Sequence, residues 1–396
     1  MKLNVWRDLR STLALLLAVV IGCAPARGIV TLNFNDGHDH VYVTGTVGVS
    51  SDSNVFANNT GQGDYVFSST LAAEYVRRAG WIGVNANVGV SGSHFATIKG
   101  QDFSNPTLGL EFTKQSGRTT GSLTFSAARE SRADSAVNLR TTSWNYNTAL
   151  NYAYPVIERF KIAGQFGYSG NKYIDDTNLV NLSTYTAGVN LFYVYNTERD
   201  VSAGYRYRYT QTSINDSTTD HNFTVGMAGR LLRGLNGAVN FGYQFRVPHG
   251  GLNQDTFHGV SASGATSYDI NRKVSLSGQV SKDFSTTATD SSVDTVAASL
   301  AGKYAFNRRL GFTLGTGWGR SRFLGDAGRV ILELGPPTLF GKNRQDDFFH
   351  WEATVNYDRS DRFKISFSYN WFKNWSTTPY ADFVRGTWSV DLNSRL

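Results

Sequence analysis

Cysteine and long apolar runs are scarce in this sequence, and each scarcity excludes a class of structure. Cysteine occurs once, at Cys23, so the chain has no internal disulfide and no site built from several thiolates. Beyond residue 26 no window approaches the roughly 18 to 20 apolar residues that a membrane-spanning helix needs. Mean hydropathy is only -0.30. If this chain crosses a membrane, it must therefore cross as strands.

Proline is also rare, whereas glycine and aromatic residues are abundant. The 396 residues include 7 Pro and 40 Gly, and 13% are Phe, Trp or Tyr. Disordered chains are poor in aromatics, and helical proteins are poor in glycine. The composition thus excludes helical bundles, coiled coils and disorder. The formal net charge of +7 is spread along the chain, so it does not indicate a nucleic-acid partner.

The N-terminus has the pattern of an export signal. Lys2, Arg7 and Arg10 precede the apolar core STLALLLAVVIG, which is about 12 residues long. Two processing sites compete: Ala24-Pro25-Ala26 fits ordinary cleavage, and Val20 to Cys23 resembles a lipoprotein box. We favour a signal peptide of residues 1–26, which would remove Cys23, although lipidation of Cys23 stays open. Residues 27–40 then form a short periplasmic leader.

From residue 41 to 396 the sequence alternates between apolar and polar residues at period two. Such alternation predicts strands with one face against oil and the other against water. A clear example is the segment from Asn236 to Val247, in which the apolar register is Val239, Phe241, Tyr243, Phe245 and Val247. The pattern is typical of the strands of outer-membrane barrels.

Eight short turns and several longer polar loops divide the alternating segments, and the loops include Arg129 to Arg140, Asn215 to Asp220 and Ser285 to Ser292. Eight turns join sixteen strands, and one further strand at each end brings the expected number to about eighteen. Short turns at one end and long loops at the other predict an antiparallel, up-and-down transmembrane β-barrel with both termini periplasmic. Hydrocarbon offers no partner for a free strand edge, so the first and last strands must pair. The turns are Arg77 to Gly80, Gln115 to Arg118, Pro155 to Arg159, Asn196 to Asp200, Arg233 to Asn236, Asp269 to Arg272, Asn307 to Arg309 and Arg359 to Asp361.

Aromatic residues cluster near these turns, as expected of a girdle at a membrane interface. They are Tyr75, Trp81, Tyr152, Tyr154, Phe160, Tyr193, Tyr195, Tyr268, Tyr304, Tyr357 and Phe363.

With the apolar register outward, the inner register carries Gly, Ser, Thr, Asn and Gln together with scattered charges. The candidate lumen-lining charges are Lys161, Arg206, Arg208, Arg230, Arg246, Lys303, Glu74, Glu111 and Glu352. Arg206 and Arg208 are the strongest local signal, because side chains two apart on a strand point the same way. Two interpretations stay open: selection of anionic solutes, or pairing with inward acids such as Glu74 or Glu352.

No catalytic or metal-binding constellation is evident, so we expect no enzyme activity and no cofactor or metal. The seven histidines are scattered. The longest loop, Phe323 to Gln345, contains an apolar run and Pro336-Pro337. It would pack on the rim or fold into the mouth as a constriction.

The first two strands carry a resemblance to a family. In GTVGVSSDSNVFANNTGQGDY, a strand ends in Asp52-Ser53-Asn54, an apolar pair follows, and Asp64 opens the next strand. This pattern resembles the opening of the beta-barrel porin 2 family. The resemblance implies an outer-membrane barrel with a role in exopolysaccharide export, and it makes Asp52, Asn54 and Asp64 motif residues. As an alternative, Asp52 and Asn54 cap the loop through side-chain to backbone bonds.

The sequence therefore favours a passive conduit in the outer membrane of a Gram-negative-type bacterium, and the resemblance implies that this conduit serves polysaccharide export. A general porin for small hydrophilic solutes, or a structural barrel without transport, are the alternatives. Expected contacts are outer-membrane lipid, polar solutes and, for export, polysaccharide export machinery. A barrel of this size is wide enough to hold water, and a slightly basic wall predicts a preference for anions.

Overall fold

A computed structural model describes residues 32–34, 39–78, 80–174, 179–250, 255–324 and 344–395. The predicted signal peptide, most of the predicted leader and residues 325–343 of the predicted long loop lie outside these ranges. Among the described residues no helix is long and apolar enough to cross a membrane.

The described residues form nineteen strands and one short 3₁₀ helix, Pro379–Ala381. The strands are β1 (Leu32–Phe34), β2 (Asp39–Asp52), β3 (Asp64–Arg77), β4 (Gly83–Phe95), β5 (Phe103–Lys114), β6 (Thr120–Asp134), β7 (Leu139–Ile157), β8 (Phe160–Tyr173), β9 (Leu182–Asn196), β10 (Arg199–Thr212), β11 (Ser217–Leu232), β12 (Leu235–His249), β13 (Phe257–Asp269), β14 (Val274–Thr286), β15 (Ser292–Ala305), β16 (Leu310–Leu324), β17 (Gln345–Ser360), β18 (Phe363–Ser376) and β19 (Phe383–Arg395).

Strands β2 to β19 close into one antiparallel barrel of eighteen strands. Each strand pairs with the next, and β19 pairs with β2 from Thr387↔Asp52 to Arg395↔Thr44. The predicted strand number, closure and up-and-down order are confirmed. All eight predicted turns join consecutive strands, so the start of β2 and the end of β19 lie at the short-turn end. Strand β2 begins at Asp39, two residues before the predicted start of the barrel.

The outer face is apolar, as the alternation predicted. Phe241 and Val225 are 59% and 64% exposed, although a water-soluble sheet would bury such side chains. On the same strand as Phe241, Gln244 and Arg246 point inward and are buried. Large exposed aromatics such as Trp81 and Tyr195 lie beside the short turns. This outer belt suits a hydrocarbon environment, with amphipathic rings at one interface.

At the long-loop end the barrel wall opens at two seams, between β13 and β14 and between β5 and β6. The β13–β14 ladder begins at Ala262↔Lys282, although β14 continues to Thr286. Likewise, the β5–β6 ladder ends at Thr107↔Ala128, although β6 continues to Asp134. Beyond these points each hairpin keeps its own internal pairing, and β15 also stays paired with β16 as far as Ser292↔Leu324. We call residues 283–293 the β14–β15 tip and residues 129–143 the β6–β7 tip.

Candidate functional site

The inner wall is built from amides, hydroxyls and glycines. Gly315, Gly317 and Gly319 of β16 lie beside the inward side chains of β17. A Cβ atom at Gly315 would lie 2.7 Å from Glu352 Oε1, and one at Gly317 would lie 2.3 Å from His350 Cε1. These glycines therefore give room to inward side chains of the neighbouring strand.

The predicted pair Arg206 and Arg208 reaches the β14–β15 tip. Arg206 Nη2 donates to Asp283 Oδ2 at 2.8 Å, and Arg208 Nη1 donates to the same oxygen at 3.1 Å. Arg208 Nη2 also donates to the carbonyl of Phe284 at 2.5 Å. Strands β10 and β14 are four places apart in the barrel. These contacts require the tip to lean inward across the lumen.

Arg246 completes this charge cluster, with Asp220 at its centre. Its Nε and Nη2 donate to the two carboxylate oxygens of Asp220 at 2.6 and 2.8 Å, and Arg208 Nε donates to Asp220 Oδ2 at 2.7 Å. Arg246 Nη1 donates to the carbonyl of Ser285 on the tip at 2.6 Å. The Arg246 and Asp220 side chains are only 0% and 3% exposed. The three guanidinium groups thus tie the β14–β15 tip to β10, β11 and β12.

Arg206 and Arg208 pair with inward acids, as one of the two interpretations predicted, but these acids are not Glu74 or Glu352. The carboxylates come from Asp220 and Asp283, whereas Glu74 lies on β3 and Glu352 on β17. Asp220 was assigned to a loop in the sequence, but β11 begins at Ser217 and places its carboxylate on the inner register. Asp283 reaches Arg206 because β14 separates from β13 beyond Lys282, which strand alternation does not show.

The other predicted charges are distributed around the wall. Lys161 Nζ donates to Asp200 Oδ2 at 2.5 Å, and Arg230 Nη1 donates to Glu198 Oε1 at 2.8 Å beside the β9–β10 turn. Glu74 Oε1 accepts from Asn85 Nδ2 at 3.1 Å, and its other oxygen is 3.8 Å from Arg395 Nη2. The inward residues Glu111, Lys303 and Glu352 are exposed.

The three family-like motif residues organise loops at the long-loop end. Asp52 accepts from Arg385 Nη2 at 2.6 Å and from the Asn54 backbone N–H at 3.0 Å. Asn54 Nδ2 donates to the carbonyl of Asn58 at 2.6 Å. Asp64 accepts from the backbone N–H groups of Thr97 and Ile98 at 2.9 and 2.8 Å. Asp52 and Asn54 therefore cap the first loop, and Asp64 anchors the next one.

A single turn, residues 135–138, bridges loops across the long-loop mouth; we call it the central turn. Asn138 Nδ2 donates to the carbonyl of Ala57 at 2.9 Å, and its backbone carbonyl accepts from Tyr380 Oη at 3.3 Å. Arg344, which directly precedes β17, donates to the carbonyl of Ala136 at 2.8 Å. Val137 packs with Leu179 and Ala288. The central turn therefore contacts loops from both sides of the barrel.

These contacts hold the central turn in the mouth at the long-loop end, and the turn narrows the opening. Val137 and Asn138 are 3% and 0% exposed, although they occupy a loop. Asn138 has a φ of +56°, in the left-handed region that asparagine tolerates better than most residues. The sequence signal for this buried turn is the apolar Val137 directly before Asn138, within a polar stretch. The predicted role of the loop from Phe323 to Gln345 falls on residues 325–343, which lie outside the described residues.

Among the described residues no group of three His, Cys, Asp or Glu side chains could hold a metal ion. The charge cluster instead pairs Arg with Asp, which is a structural and electrostatic arrangement. The geometry of the charge cluster is that of ion pairs that hold the β14–β15 tip against the barrel wall, and not that of a reaction centre.

Comparison with known proteins places the fold among outer-membrane barrels. No family model matches the sequence, and no curated protein matches it. The chain is similar to the structure of the FrpB iron transporter of Neisseria meningitidis (F5-1 variant, apoprotein), with a TM-score of 0.50, 9% identity, and coverage of 90% of this chain and 81% of that one. It is equally similar to OccK2 (OpdF) of Pseudomonas aeruginosa, with a TM-score of 0.50, 12% identity, and coverage of 92% and 99%.

A bacterial polysaccharide outer membrane secretin matches with a TM-score of 0.39 and 9% identity, over 89% of this chain and 98% of that one, which is too low to support an argument. At these identities the likeness establishes the fold alone. The closed eighteen-strand barrel with an apolar outer belt is an outer-membrane protein, as predicted. The specific resemblance to the beta-barrel porin 2 family stays a prediction.

Proposed function

We propose that the protein is a channel for small, uncharged polar solutes, with a mouth narrowed by two inward hairpins. The observation that carries the proposal is the pairing of inner-wall charges, in which Arg206, Arg208 and Arg246 share Asp220 and Asp283. A wall charge attracts its counter-ion only where it is not compensated. Beside this cluster, amides and hydroxyls are the groups that a passing solute meets, and the exposed charges Glu111, Glu352 and Lys303 lie elsewhere on the wall.

Reconstitution tests this proposal together with the fastening of the β14–β15 tip. Liposomes containing the protein should swell in a neutral hexose, and the reversal potential in a salt gradient should lie close to zero. Asp283→Asn should increase conductance and shift selectivity toward anions, because it unpairs Arg206 and weakens the hold on the tip.

Asp200→Asn is the matched control for that variant. It also unpairs an inward cation, Lys161, but lies near the short-turn end of β10. We expect it to shift selectivity without enlarging conductance. If Asp283→Asn and the unaltered protein had equal conductance, Asp283 would not hold the β14–β15 tip in the mouth. No swelling and no conductance with any variant would contradict the channel and favour a structural barrel.

Polysaccharide export is the second candidate function, and it is supported only by the resemblance of the first two strands. It requires export machinery as a partner and a mouth that opens for a polymer. Loss of surface polymer in a deletion strain, with unchanged uptake of small sugars, would favour export over the solute channel.

We further propose that the short-turn end, and with it both termini, faces the periplasm, following export by a signal peptide of residues 1–26. Single cysteines at Lys99 and Asn215, in long-end loops, should then react with an impermeant maleimide on intact cells. Cysteines at Ser116 and Arg308, in short turns, should react only after lysis. The unaltered chain, with Cys23 alone, gives the background. The opposite labelling pattern would reverse the orientation.

A further inference from the structure

A cavity of about 290 Å³ lies on the inner wall beside the Arg206–Asp283 pair. Strands β8 to β14 contribute to its lining. Four amide side chains line it: Gln165, Asn190, Asn222 and Asn240. Thr224 and three serines add hydroxyl groups. We call this space the amide cavity.

The charges that line the amide cavity are paired. Arg206 donates to Asp283 at 2.8 Å, and Lys282 Nζ lies 2.8 and 2.5 Å from the two carboxylate oxygens of Asp294. An ionic ligand would have to compete with these partners. A neutral ligand meets no such competition, because amides and hydroxyls both donate and accept hydrogen bonds.

A second observation, next to the amide cavity, supports a ligand. Gln244 is 1% exposed, and both its Nε2 and Oε1 atoms are buried without a hydrogen-bond partner. It lies directly opposite Asn222, which lines the cavity. Buried amide groups in native proteins are nearly always satisfied, so an unsatisfied one calls for a further polar partner. Gln244 does not itself line the cavity, so a water ordered between it and a bound molecule carrying several hydroxyls would supply this partner.

The geometry points to a binding site for an uncharged polyhydroxylated solute of about one sugar ring, and this inference rests on the proposed channel function. Ligand pockets usually span about 300 to 1,000 Å³, so the amide cavity fits a small ligand. Free sugars and single units of a neutral glycan share this chemistry. The site would hold the solute beneath the β14–β15 tip, because Asp283 of the tip is part of the lining.

Saturation-transfer NMR on the detergent-solubilised full chain tests the site independently of transport. Glucose should give a saturable signal, and glucuronate and glucosamine, which differ from it mainly in charge, should bind at least about tenfold more weakly. The double variant Asn190→Leu/Asn240→Leu keeps the branched side-chain shape and its number of heavy atoms but removes two hydrogen-bonding amides. It should weaken glucose binding by about tenfold or more, since each bond contributes about 0.5 to 1.5 kcal/mol.

Asn370→Leu is the matched control, because Asn370 faces the lumen from β18 and lies outside the amide cavity. It should bind glucose as the unaltered protein does. Folding of each variant is checked by its heat-dependent shift on a gel. Competition between glucose and a short linear glucan would show whether polymer units enter the same site.

The outcomes separate this inference from the channel itself. Equal binding of the three sugars, no saturable signal, or equal loss in Asn370→Leu would overturn the site, and liposome swelling would still support the channel. Selective glucose binding without any swelling would support the site and contradict the channel.

Discussion

Replacing Asp220 with alanine should lower the free energy of unfolding of the barrel by about 3 to 5 kcal/mol, because it leaves two guanidinium groups facing each other without their shared carboxylate. Asp220 is nearly inaccessible and contacts both Arg208 and Arg246 within 2.8 Å. Urea unfolding in lipid vesicles, followed by tryptophan fluorescence, measures the change.

Asp200→Ala serves as its control, since the Lys161–Asp200 pair is more exposed, at 40% and 24%. An ion pair of this kind contributes about 0 to 1 kcal/mol. Similar losses for the two variants would mean that the cluster around Asp220 is no more than an ordinary exposed pair. Asp220→Asn keeps the side-chain shape and one acceptor oxygen. Its loss in the free energy of unfolding should therefore lie between the losses of Asp220→Ala and Asp200→Ala.

An arginine on the lipid face should also be costly. Phe367 lies on β18 with 47% of its surface exposed to the surroundings of the barrel. Phe367→Arg should reduce the free energy of unfolding by about 2 to 4 kcal/mol if the site lies near the bilayer midplane. The same vesicle unfolding experiment measures it.

Asn370→Arg, three residues along the same strand but on the inner register, should be nearly neutral because the new charge can reach water. Because Phe367 and Asn370 lie on the same strand, the two variants differ mainly in the face of the barrel that carries the new arginine. Equal costs at the two positions would contradict a lipid-facing apolar register and a wet lumen.

Much of the barrel could be predicted because the orientation of each strand and the position of each turn depend on residues that are close together in the sequence. Alternation such as that from Val239 to Val247 shows which side chains point outward, and a turn such as Arg233 to Asn236 shows where a strand reverses. Closure followed from the cost of unpaired backbone groups in hydrocarbon. The pairing of β19 with β2 confirms that physical argument, although the two strands lie at opposite ends of the sequence.

The site was less predictable because its contacts join strands that do not pair. Arg206 and Arg208 lie two residues apart on β10, but their partners depend on where β14 separates from β13. The polar stretches Arg129 to Arg140 and Ser285 to Ser292 were interpreted as loops, since charged and hydroxyl residues are typical of both loops and inward hairpins. Hairpin pairing in fact continues to Asp134↔Leu139 and Thr286↔Ser292.

The central turn has a consequence for the order in which the protein assembles. Asn138 touches Ala57 and Tyr380, which lie 81 and 242 residues away along the chain, and Arg344 reaches Ala136 from 208 residues away. Contacts between such distant segments form late, because long stretches of chain must first be brought together. The turn can acquire all its partners only after the last strands have joined the first. Burial of Asn138 is thus a marker of completed insertion, and a stalled barrel would leave this turn open to protease.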